Sequence, residues 1–277
     1  MAAIARALLS VFKLGIGLAL MLPTLAPPGA AAKPVPDEAA ALRTGQAAIG
    51  RELGEHTLWD TDGRRVRLAD LRGRPLVLNL VYTSCSGLCP TVVQTLDGAV
   101  AAAQEALGAD RFAVLTIGFD SRNDTPERMR AFARAQGIDR PGWRFLSGDA
   151  KTIEALAGEV GFVVYPAAQG FDHMALTTIV DPEGRVYRQI YGSSFEPPAL
   201  VEPLKELVFG RRSAWTSVDG LINRIRLFCT LYDPRTGSYR IDYAPFIGMA
   251  IGLVALAGIA GFLIREWRRT GRPQPGA

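Results

Sequence analysis

Apolar positions along this chain follow two periods. Between residues 52 and 209, short apolar runs alternate with stretches of helical spacing. Thr57-Leu58-Trp59 and Val66-Arg67-Leu68, on either side of Asp62-Gly63, predict a small β-hairpin. Pro75 to Tyr82 is nearly all apolar and rich in branched side chains, which predicts a central strand buried on both faces. From Pro90 the spacing changes, and Val93, Leu96, Val100, Ala103 and Leu107 fall on one helix face. Arg111 to Phe119 predicts a second strand. Thr125-Pro126 opens a helix that runs to Gln136 and stops at Gly137. Trp143 to Leu146 predicts a short strand and Asp149 to Val160 a helix. Ala175 to Val180 and Arg185 to Tyr191 pair across the turn Asp181-Pro182-Glu183-Gly184, and Pro197 to Phe209 is a last amphipathic helix.

Strands alternating with helices predict an α/β fold with a mostly parallel sheet, to which the closing hairpin adds an antiparallel edge. The order resembles the thioredoxin plan, so residues 51–209 are expected to form a thioredoxin-like three-layer domain with an N-terminal β-hairpin extension.

The pattern changes at both ends. Arg6 and Lys13 precede the apolar run Leu14 to Leu22, Pro23 breaks it, and Ala30-Ala31-Ala32 supplies small residues. Residues 1–32 therefore read as a signal peptide, with an uncleaved anchor as the alternative. Residues 33–50, rich in Ala and Pro, read as a linker. Residues 210–242, with Cys229 and the turn-like Asp233-Pro234-Arg235-Thr236-Gly237, form a C-terminal extension without a clear assignment. Tyr243 to Ile264 is 22 uncharged residues. At about 1.5 Å per residue such a helix spans a hydrocarbon core. An Arg-rich tail, residues 265–277, is expected to stay in the cytoplasm, which places the domain on the periplasmic or extracytoplasmic side of the plasma membrane.

Charge sharpens this picture. Of the net +4, the N-terminal segment carries +2 and the tail after Ile264 carries +3, which leaves the chain between them at −1. The positive charge flanks apolar segments, where topology uses it, and no basic patch is expected to remain for nucleic acid.

The candidate chemistry lies directly after the central strand, in Thr83-Ser84-Cys85-Ser86-Gly87-Leu88-Cys89-Pro90. Three cysteines, Cys85, Cys89 and Cys229, are too few and too uneven for a disulfide framework, so Cys85 and Cys89 read as a redox or metal pair. A helix N-terminus stabilises thiolates, which are both the nucleophiles of disulfide exchange and soft ligands for copper. Three residues separate the cysteines. That gap permits a disulfide and also a metal between the sulfurs. His173, just before the strand Ala175 to Val180, is the candidate third ligand, because in a thioredoxin plan that loop lies beside the cysteine motif. Two Cys and one His suit Cu(I) and tolerate Cu(II), whereas structural zinc asks for a fourth ligand. His56, the other histidine, reads as an ordinary polar residue of the first hairpin, and Cys229 reads as a lone buried thiol, with a further redox or metal group as the alternative.

At these residues the chain resembles the Sco/SenC family of copper-binding assembly proteins. The likeness is carried by Val81-Tyr82-Thr83 with the CxxxCP core from Cys85 to Pro90, by Gly118 to Pro126 with its Asp-Thr-Pro ending, and by Asp172-His173 followed by Asp181 to Gly184. It implies Cys85, Cys89 and His173 as copper ligands, and Asp120 and Asp124 as acidic loop positions near the site. Asp124 also reads simply as a helix cap. The resemblance further implies delivery of copper to the dinuclear copper centre of cytochrome c oxidase, or reduction of its cysteines, with a copper-bearing oxidase subunit or another periplasmic copper acceptor, and a thioredoxin-like reductant, as partners. A metallochaperone is thus expected more than an enzyme. A thiol–disulfide reductase is the alternative, and a peroxidase a weaker one. The family's familiar members are anchored by an N-terminal helix, whereas this chain carries its apolar helix at the C-terminal end.

Overall fold

The centre of the fold is a strand with no polar face. Leu76–Val81 (β3) is buried at all six positions, so its leucines and valines each contribute roughly 1.5–3 kcal/mol of burial. A computed structural model describes residues 37–167, 170–210, 230–233, 238–241 and 243–270.

In chain order the elements before β3 are helix α1 (Glu38–Ala47), β1 (Thr57–Asp60) and β2 (Arg65–Arg67). After β3 come α2 (Leu88–Leu107), β4 (Ala113–Gly118), α3 (Pro126–Gln136), β5 (Trp143–Ser147) and α4 (Ala150–Val160). Then follow β6 (Val164–Ala167), β7 (Gly170–His173), β8 (Leu176–Val180), β9 (Val186–Tyr191), α5 (Pro198–Lys205), β10 (Thr230–Asp233), β11 (Ser238–Ile241) and α6 (Ala244–Thr270). Helix ends follow local chemistry. The Thr125 side chain accepts from Arg128 N–H and Asp149 from Thr152 N–H, while Gly137 and Gly161 close α3 and α4 in the left-handed conformation.

Seven strands form one sheet in the order β2-β1-β5-β4-β3-β8-β9. The expectation of a mostly parallel sheet is corrected here, since only β3–β4 and β4–β5 are parallel. The first hairpin joins the main sheet when β1 pairs antiparallel with β5. At the other side, the β6–β7 hairpin hands the chain to β8 at the cysteine end of the sheet, so β8 runs against β3, with Thr177 opposite Asn79 and Val180 opposite Leu76. That hairpin was not predicted. It puts His173 at the end of a strand rather than in a loop.

The linker reading of residues 33–50 is also corrected over its described part, residues 37–50. Asp37 caps α1 by accepting from Ala40 N–H at 2.9 Å, and Ala41 and Gly45 are buried. Gln189 donates to the carbonyls of Gly45 and Val160 at 3.4 and 2.8 Å, joining α1, α4 and β9. Small residues look like linker composition, but they let this helix approach closely: a Cβ on Gly45 would lie 2.8 Å from the Tyr191 hydroxyl oxygen.

Residues 210–242 contain the β10–β11 hairpin, whose Tyr239 is buried and donates to Glu202 of α5 at 3.1 Å. Phe246–Arg268 of α6 has a mean hydropathy of 2.4 and is long and apolar enough to cross a membrane. The proposed signal segment, residues 1–32, and Cys229 lie outside the described residues.

Candidate metal and thiol centre

The cysteine pair sits where β3 gives way to α2. Cys85 belongs to the turn before the helix, and its N–H donates to the Tyr82 carbonyl at 3.1 Å. The helix begins at Leu88, two residues earlier than Pro90 suggested. Proline is tolerated there because first-turn N–H groups have no partner inside the helix. One of those groups, Cys89 N–H, points at Cys85 Sγ at 3.3 Å.

The two thiols are chemically unequal. Both are free, but Cys85 is half-buried and Cys89 is buried. Burial disfavours the Cys85 thiolate, yet the N–H groups of Cys89 and Gly87, with the Cys89 thiol and the Tyr82 hydroxyl, outweigh it and hold Cys85 below the ordinary thiol value of 9.0. Burial pushes Cys89 far up, and a negative charge on Cys85 adds to the effect. Cys85 is therefore the more accessible thiol and the one whose thiolate is favoured, and Cys89 is the protected one.

His173 stands in an aromatic box. Its ring lies 5.2 Å from Phe162, 5.4 Å from Phe119 and 6.0 Å from Tyr82, centroid to centroid. Burial holds the imidazole below its ordinary 6.5, which keeps it neutral. Nδ1 lies 3.3 Å from the Met174 carbonyl. A carbonyl only accepts, so Nδ1 carries the proton in that hydrogen bond and Nε2 keeps the lone pair a metal would use. Gly170 (φ +104°) lets β7 come close, since a Cβ there would stand 3.1 Å from Tyr82.

The structure joins the cysteines and His173 through Tyr82. That residue's carbonyl holds Cys85, and its ring packs on His173. Among the described residues, no three His, Cys, Asp or Glu side chains converge closely enough to share one metal ion. The donor chemistry suits a soft metal all the same: a favoured thiolate, a second sulfur and a neutral imidazole. Taking all three would require the cysteine turn and β7 to draw together.

Asp124 proves not to be the helix cap, which is Thr125. It is almost fully buried and accepts from Thr83 N–H and hydroxyl at 2.8 and 2.7 Å and from Asp120 N–H at 2.9 Å. It thereby ties the end of β3 to the end of β4, two residues before Cys85. Asp120 holds Asn123 instead, at 2.7 Å. His56 pairs with Glu159 at 2.7 Å. The sequence reading missed the box of Phe119, Phe162 and Phe171. The only hint was that each stands beside a strand end near the motifs already noted.

A strand–turn–helix bearing two free, unequal cysteines on a sheet of this kind defines a thioredoxin-like thiol protein. The SCO1/SenC family pattern matches residues 45–208, more than half of the chain, and the chain belongs to that family. The SCO1 protein homolog of Bacillus subtilis (strain 168) is 26% identical over 155 residues, covering 54% of this chain and 78% of that relative. BsSco, described as a member of the Sco family of cytochrome c oxidase assembly proteins with a disulfide switch, shares the fold. It has a TM-score of 0.51 and 22% identity, over 57% of this chain and 94% of its own. Bradyrhizobium japonicum ScoI, solved with copper bound, is 26% identical with a TM-score of 0.47, over 57% of this chain and 99% of its own.

Proposed function

We propose that this protein is a membrane-anchored copper chaperone. It takes up copper through Cys85, Cys89 and His173 and serves the assembly of the dinuclear copper centre of cytochrome c oxidase. The observation that carries this reading is the pairing, at one helix N-terminus, of a Cys85 whose thiolate is favoured with a buried Cys89, beside an imidazole kept neutral by burial. Copper is the metal of the family to which the chain belongs. Cu(I) favours two sulfurs and a nitrogen, and a low coordination number leaves room for an incoming ligand from an acceptor. Residues 1–32 act as the signal, α6 as the anchor, and residues 51–209 face the periplasmic side.

A second reading rests on the inequality of the thiols. A half-buried cysteine with a lowered pKa followed by a fully buried one is the arrangement of a thiol–disulfide reductase, where the first attacks and the second resolves. The uses are compatible, because only the reduced pair binds copper.

The test is metal analysis of the full chain in detergent. The reduced protein is expected to hold copper in stoichiometric amount, the oxidised protein to hold almost none, and His173→Ala to bind at least tenfold more weakly. Copper binding equal to wild type in His173→Ala would remove the histidine from the ligand set. Rapid reduction of an oxidised acceptor by metal-free protein, unchanged in His173→Ala, would favour the reductase.

A further inference from the structure

The fold gathers charge that the sequence disperses. Although the chain between its charged ends sums to −1, Arg64, Arg65, Arg130, Arg134 and Arg144 line a single cleft of about 570 Å³. They come from the β1–β2 turn, β2, α3 and β5, which are distant in sequence and adjacent only at this edge of the sheet. The near-neutral net charge of this part of the chain therefore conceals a local cluster of arginines.

Few carboxylates answer these guanidinium groups. Asp60 Oδ1 is taken up by the N–H groups of Asp62 and Arg64, both at 2.8 Å. Asp62 pairs with Arg64 at 3.1 Å and with Arg130 at 3.2 Å, and Arg130 also donates to the Thr61 carbonyl, which fixes it in the cleft. Arg65, Arg134 and Arg144 have no ion pair with any described residue. The floor is apolar, with the rings of Trp143 and Phe145 stacked at 6.0 Å, and Trp143 spends its indole N–H on Thr116 at 2.9 Å. The cleft thus presents permanent positive charge, and the nearby carboxylates are already engaged.

We propose that this cleft binds a phosphate group. Arginine forks match phosphate oxygens, keep their charge at any physiological pH and give up their hydration more readily than an ammonium does. Uncommitted guanidinium groups along one cleft suit a tetrahedral group with several acceptor oxygens better than a planar carboxylate with two. The source is either the headgroup of an anionic phospholipid or a soluble phosphate. The cleft is separate from the thiol centre. Trp143 and Arg144 begin β5, whereas Cys85 follows the end of β3, and the two strands run parallel through β4, so the two features lie toward opposite ends of the sheet.

The test uses the full chain in non-ionic detergent, titrated calorimetrically with inorganic phosphate and with dihexanoyl phosphatidylglycerol. It is repeated on Arg65→Gln/Arg134→Gln/Arg144→Gln and on Arg134→Gln alone. The expected result is binding of both probes, mutual competition, at least tenfold weakening in the triple variant and about threefold in the single one. Binding of the lipid alone assigns the cleft to headgroups and binding of phosphate alone to soluble phosphates. Either upholds the site if the variants weaken it. Absence of binding by both probes, or affinities unchanged in both variants, overturns it. Selective binding of an oligoglutamate peptide overturns it too, in favour of a protein-docking surface. Copper uptake, measured on the same samples, is expected to be unchanged and so reports that the variants are folded.

Discussion

Cys85 and Cys89 are four positions apart, yet they experience different solvents. Cys85 receives helix N–H groups and the Tyr82 hydroxyl, and Cys89 receives mainly burial. The sign follows directly. A thiol held below its ordinary value keeps a reactive thiolate fraction as pH falls, and one pushed up loses it. Brief alkylation of the reduced protein at pH 7, read by mass spectrometry, is therefore expected to modify Cys85 at least tenfold faster than Cys89, and Cys85→Ser to remove the fast phase. Equal rates would contradict the asymmetry. The cysteine spacing made the pair legible in the sequence. Which thiol attacks was not, because desolvation and hydrogen bonding depend on what the fold places around each sulfur.

At the scale of elements, most of the architecture was readable. The two-sided apolar run of β3, the Thr125-Pro126 opening of α3 and the Gly137 stop were correct because they are decided within a few residues of chain. Helix α1 was not readable, since its stability comes from packing small residues on β9 and α4. Gly161 is the sharpest test of that packing. It closes α4 at φ +70°, and a Cβ there would meet the Thr44 carbonyl oxygen at 2.5 Å and Gly45 Cα at 2.8 Å. Gly161→Ala is expected to destabilise the domain by roughly 1–3 kcal/mol in chemical denaturation, through backbone strain and separation of α1. Gly158→Ala, with open space around it, is expected to be close to neutral.

For the whole molecule, the prediction concerns attachment. The apolar side chains of α6 are exposed from Ile247 to Ile264, a surface that water disfavours and a bilayer accepts. The full chain is expected to float with reconstituted vesicles and to resist extraction at high salt, and a chain truncated after Asp242 to stay in the aqueous fraction while keeping its copper uptake. Flotation of the truncated chain would place membrane attachment elsewhere. Salt resistance separates apolar insertion from surface electrostatics, which screening weakens.

By itself the sequence determined the class of fold, the spacing of the cysteine pair, the family motifs and the long apolar helix, because each is written in local periodicity or in residues close along the chain. The tertiary structure decided the direction of β8, the docking of α1, the aromatic box that neutralises His173, the role of Asp124 as a tie between two strand ends, and the convergence of five arginines in one cleft. All of these depend on contacts between residues far apart in sequence, where burial and electrostatics are set by neighbours that the order of residues does not name.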